Sequence, residues 1–284
     1  MNRSVALLLV IVLLVAIALG GFFLYLSGGE SGSADVERAP EQGVVHVRSI
    51  YVAEDENLRR PVGIGADDDG GFFVTLRDSQ RVVEFDANGD SVRVWGENGT
   101  EPGQLLVPLS VAVDRLAEQV YVVDRSRLRL IAYSTEGSYL WEIPMLSPLG
   151  VALHPDGVVV TSFGPLTIMD GEGQVVAESG TRGSATGQYD YPRSAVGLDN
   201  GEVIVADTNN ARLQRVTVSG EVTSTATWVL GEPPRKQDDP DTTFGVPSGI
   251  TMDDRGRVFV LDGFRHSITV VDSETGEIVH TYED

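Results

Sequence analysis

From Pro61 to the carboxyl end, apolar and polar positions alternate in short runs that come in sets of four. Residues 191–231 show one set. Pro192 opens a short apolar segment, and Asp199, Asn200 and Gly201 turn the chain into EVIVAD. Residues 207–210 turn it again into RLQRVTV, and Ser219 with Gly220 lead into a last run ending at Trp228. β-Branched runs bounded by Asx, Gly and Ser predict strands joined by tight turns, so the set predicts one four-stranded antiparallel meander.

The set repeats. Pro61, Pro108, Pro148, Pro192 and Pro247 each open such a unit, at intervals of roughly 40–55 residues. Four strands at this period predict the blade of a β-propeller, in which radial stacking buries the two faces that a lone sheet leaves bare. Five prolines predict five blades, with six the alternative. The polar, Pro-rich residues 231–246 lack a strand pattern and are expected to form a long loop rather than a hidden blade. Residues 44–52 (VVHVRSIYV) read as an outer strand that joins the last blade at its edge and closes the ring.

These residues resemble the NHL-repeat family. Its pattern is Pro, a small residue, Ile or Val, a hydrophobic strand ending in Asp, then an Arg opening the third strand. Asp207 with Arg212 matches well, Asp78 with Arg81 in shortened form, and Asp124 with Arg127 and Asp262 with Arg265 more loosely. The linkers before Pro108 and Pro192 also share Gly, Gly-Gln and Pro at equal spacing. In the third unit, Ser162, Phe163, Gly164 and Pro165 stand where Asp and Arg belong. The resemblance covers residues 43–284 and implies an all-β propeller of four-stranded antiparallel blades. It does not imply one activity, because such folds serve many roles.

Ahead of the propeller, residues 5–26 form an unbroken apolar or small-residue run. At about 1.5 Å per residue it is long enough for roughly 30 Å of hydrocarbon, and longer than a signal-peptide core. The expectation is a single transmembrane helix acting as an uncleaved anchor, with a cleaved secretory signal as the alternative. Arg3 precedes the run and Glu30 and Asp35 follow it, so residues 1–4 are expected to be cytoplasmic and the propeller extracytoplasmic. Residues 27–42, rich in Gly, Ser and acids, read as a flexible tether to a propeller over 43–284.

Charge narrows the partners. With 42 acids against 21 bases and a net charge of −21, nucleic acid is not expected. The chain has no cysteine, which excludes disulfides, thiol catalysis and thiolate metal sites. Asp86, Asn88 and Asp90 space oxygens as a calcium loop does, yet Ser91 stands where that loop needs Gly, so a hairpin turn is expected first and a calcium ion second. Related propellers with lyase activity hold a metal with histidines around the channel. Here His154 and His266 fall in turns and His46 and His280 on outer strands, so no such site is expected. The inner strands begin Val62-Gly63, Leu109-Ser110, Leu149-Gly150, Arg193-Ser194 and Ser248-Gly249, which is a close-packing pattern. Trp95, Trp141 and Trp228 recur on outer strands and are expected to pack between blades.

The expected role is a membrane-tethered, non-enzymatic module that binds a protein, peptide or glycan without a cofactor. The alternative is a metal-dependent lyase or lactonase-like hydrolase. Turns after first and third strands gather acids on one face. The other face carries the long loops with Arg125, Arg127, Phe163, Arg182, Tyr189, Tyr191, Arg193, Phe264 and Arg265, and is the candidate binding face.

Overall fold

A computed structural model describes residues 60–67, 69–220, 224–234 and 242–283. The first blade is β1 (Pro61–Ala66), β2 (Phe72–Leu76), β3 (Arg81–Phe85) and β4 (Ser91–Trp95). The second is β5 (Pro108–Asp114), β6 (Gln119–Asp124), β7 (Arg129–Ser134) and β8 (Tyr139–Pro144). The third is β9 (Pro148–His154), β10 (Gly157–Ser162), β11 (Leu166–Met169) and β12 (Val175–Ser179). Then come β13 (Pro192–Gly197), β14 (Glu202–Asp207), β15 (Arg212–Thr217) and β16 (Thr225–Leu230). The last blade is β17 (Pro247–Met252), β18 (Arg257–Asp262), β19 (Ser267–Asp272) and β20 (Ile278–Glu283). Every sheet is an antiparallel meander in sequence order, so the five-bladed propeller expected from the prolines is present. Each proline heads an inner strand and is followed by a register shift against the second strand. Having no N–H to donate, proline suits a strand's first residue beside a bulge.

Blades adhere through four apolar clusters, one at each junction from the first blade to the fifth. The tryptophans contribute as expected. A Cβ on Gly137 would lie 2.8 Å from Trp95, one on Gly173 3.0 Å from Trp141, and one on Gly276 2.8 Å from Trp228. Each indole thus lies on a glycine turn of the next blade. Trp141 and Trp228 also donate to the carbonyls of Gly171 and Ser273. At the axis the small residues interlock: Gly63 and Gly150 press on the backbones of Leu109 and Arg193, while the Ser110 and Ser194 hydroxyls accept the amides of Val151 and Ile250.

Inner strands pack β1 on β5, β5 on β9, β9 on β13 and β13 on β17, but among the described residues β17 and β1 make no comparable contact. Gly249 agrees, since a Cβ there would meet only Leu261 of its own blade, at 4.0 Å. The strand expected at 44–52 lies outside the described residues, as do the anchor at 5–26 and the tether at 27–42. Among the described residues no helix is long and apolar enough to cross a membrane. Of the loop 231–246, the described parts carry no strand.

Candidate functional site

Inner strands all run the same way along the axis, so residues before them and residues after them collect at opposite mouths of the channel. The channel, open to solvent, offers about 1240 Å³. At the mouth where inner strands begin stand Arg60, Arg77, Arg125 and Arg193, with Tyr191 and Phe264. At the other stand Asp67, Asp199, Asp253 and Asp254. A six-residue strand separates the two ends by roughly 20 Å.

The acidic mouth belongs to a face built of Asx turns. Asp67 accepts the amides of Asp69 and Gly71, Asp86 those of Asn88 and Asp90, and Asp170 those of Glu172 and Gln174. Asp253 and Asp272 do the same for their turns. The Asp86 segment is therefore a turn whose own amides occupy the carboxylate. Those bonds, that from Asp90 foremost, hold its pKa below the usual value. Among the described residues no three His, Asp or Glu side chains gather to hold a metal, and no histidine lines the channel. His154 is fastened by both ring nitrogens, to Gly201 O at 3.0 Å and to the amide of Asp156 at 3.1 Å.

The arginine mouth is organised differently. Second strands end there in Asp124, Asp207 and Asp262, each of which reaches back to the linker entering its blade. Asp124 accepts the amides of Leu106 and Val107, Asp207 that of Asp190, and Asp262 those of Gly245 and Val246. An arginine clamps the same linker. Arg212 donates to Asp207 at 2.8 Å and to the carbonyls of Ala185 and Gln188, and Arg127 donates to those of Gln104 and Thr100 while pairing with Glu142. Arg265 reaches the Thr242 carbonyl. The two linkers that look alike in sequence are alike in space: Gly99 and Gly183 lie against the amides of Gln104 and Gln188, and Leu105 and Tyr189 are fully buried.

This sorts the nine expected face residues. Tyr189 is core, and Arg127, with a side chain only 5% exposed, and Arg265 are linker clamps. Four of the others form one cluster. Arg125 donates to the Tyr191 hydroxyl at 2.7 Å, and its guanidinium carbon lies 5.3 Å from that ring's centre. Tyr191 meets Phe163 edge to face at 5.6 Å, and Arg182 lies 4.5 Å over Phe163. Phe163 is displayed because the third blade's Asp/Arg signature is replaced by a tight turn, closed by Gly164 N to Ser162 O and Ser162 N to Pro165 O. Arg193 and Phe264 complete the rim, and Phe264 is 54% exposed. Arg60 and Arg77 carry no motif of their own in the sequence. Their position beside a predicted inner strand and after a predicted second strand was the available signal. Among the described residues, Arg60, Arg77 and Arg193 have no ion-pair partner.

The fold defines a class, the β-propellers of four-stranded antiparallel blades, and among curated proteins the chain is similar to an NHL-repeat protein. The chain is 26% identical over 195 residues to human NHL repeat-containing protein 3, covering 59% of this chain and 52% of that protein. It thus spans about half the length of this curated relative. No family model matches. Among solved structures, streptogramin B lyase superposes with a TM-score of 0.57 at 18% identity, covering 78% of this chain and 68% of that one. A chain of a nidogen/laminin complex superposes with a TM-score of 0.54 at 14% identity, covering 80% and 81%. At these identities the superpositions show the fold alone.

Proposed function

We propose that this propeller is a membrane-tethered, extracytoplasmic binding module that captures a protein, peptide or glycan at its arginine mouth and catalyses no reaction. The observation that carries the proposal is the rim itself: four arginines with Tyr191 and Phe264 around a wide channel. Arginine and aromatic side chains dominate the energetics of protein interfaces, whereas at the opposite mouth Asp67 and Asp253 are occupied by their own turns. A strand over 44–52 running toward Pro61 would bring the tether to the acidic face, leaving the arginine mouth turned outward from the bilayer.

The test is covalent capture from membranes carrying the full chain. Arg125→Glu with Arg193→Glu is expected to abolish enrichment of the partner, and Asp199→Lys with Asp254→Lys to leave it intact, with circular dichroism verifying both folds. Equal loss in both variants, or loss only in the second, overturns the assignment. A stoichiometric metal that EDTA removes from the channel, together with turnover that it abolishes, would instead support a lyase-like enzyme.

A further inference from the structure

We infer that the ligand of the arginine mouth is a short acidic peptide segment, inserted end-on into the channel; this rests on the reading of that mouth as the binding site. Three observations lead there. First, Arg60, Arg77 and Arg193 line the mouth with no ion-pair partner among the described residues, while other arginines of the molecule are paired: Arg115 with Asp67 and Glu84, Arg127 with Glu142, Arg212 with Asp207, and Arg215 with Glu202. In a chain of 42 acids and 21 bases, cations left unpaired around one mouth create a local positive field that favours a carboxylate.

Second, the field reverses along the axis. Asp199 and Asp254 line the far mouth, with no hydrogen bond or ion pair from either side chain among the described residues. An anion is drawn in at one end and repelled from the other. It therefore stops in the channel, and a long polyanion such as nucleic acid would have to lie across an acidic exterior. Third, the channel, open to solvent, offers about 1240 Å³, more than the roughly 300–1,000 Å³ of a small-molecule site. It suits several residues of extended chain, whose apolar side chains can use the exposed Phe264 ring. The aromatic contacts of Tyr191 hold Arg125 ready beforehand, so less side-chain freedom is lost on binding.

The experiment is titration of the full chain, in a non-ionic detergent at low salt, with a fluorescent hexaglutamate peptide. Hexalysine, citrate and a hyaluronan hexasaccharide serve as comparison probes. Hexaglutamate is expected to bind, to weaken steeply as sodium chloride rises, and to lose at least about tenfold in affinity in Arg77→Glu with Arg193→Glu. Asp199→Lys with Asp254→Lys should bind it no more weakly than the parent. Absence of hexaglutamate binding overturns the inference, as does binding unchanged in the arginine variant. Citrate binding as tightly would mark a small-anion site, and preference for the hexasaccharide an acidic-glycan site; either overturns it. Where hexaglutamate fails but membrane capture still requires Arg125 and Arg193, the binding mouth stands and only its ligand class falls.

Discussion

Asp207 shows how much one residue carries in this fold. Its buried carboxylate accepts the Asp190 amide at 2.7 Å, Asn210 Nδ2 at 2.9 Å, Arg212 Nε at 2.8 Å and Gln214 Nε2 at 3.2 Å. Burial pushes its pKa up while these donors pull it down, so the site tolerates the charge only because every donor is in place. Asp207→Ala strands a guanidinium and an amide together. It is expected to cost roughly 1–3 kcal/mol or more, read as a lower urea midpoint at unchanged slope. An unaltered midpoint would mean the cluster contributes nothing net. The tie between Asp207 and Arg212 was legible from their repeat spacing. The linker amide was not, because it approaches from 17 residues away in sequence.

At the scale of the element, the proline-headed inner strand is the unit that sets blade spacing. A Cβ on Gly150 would stand 2.6 Å from Arg193 O and 3.1 Å from Thr161 Oγ1, backbone and side chain that the sheet holds in place. Gly150→Ala is therefore expected to destabilise by about 1–3 kcal/mol through overpacking. Gly249→Ala, with 4.0 Å to Leu261 Cβ, should leave the thermal midpoint nearly unchanged. Equal damage at both positions would show that Gly249 is covered from the side of the first blade. The small residues of the inner strands announced close packing in the sequence. Which of them meet a neighbour depends on how far round the ring each blade sits.

The whole molecule is polarised, with turn carboxylates on one face and arginines at the opposite mouth. The amides of Asp90 and Thr275 chiefly hold the pKa values of Asp86 and Asp272 below their ordinary values. A depressed folded pKa contributes stability above the unfolded value, near 3.9, that is lost as pH falls through the folded one. Stability is thus expected to fall below about pH 4. Asp272→Asn, which keeps an acceptor and removes the titration, should fall less steeply than the parent. Comparing the two slopes cancels the relief of general acidic repulsion that protonation also brings. Parallel slopes would assign the acid transition to other carboxyls.

The five blades, the turn positions and the tryptophan contacts followed from sequence because local physics sets them. Strand period, Asx turns and a proline that cannot donate act within a few residues. The composition of the candidate binding face followed only in part. Tyr189 and Arg127 carry the chemistry of recognition, yet linker packing takes one into the core and spends the other on Glu142. Arg60 and Arg77, unremarkable in the chain, reach the same mouth because the ends of first and second strands converge on one axis. Which side chains are consumed by the fold and which are left to meet a partner is a matter of distances between blades, and those exist only once the ring is assembled.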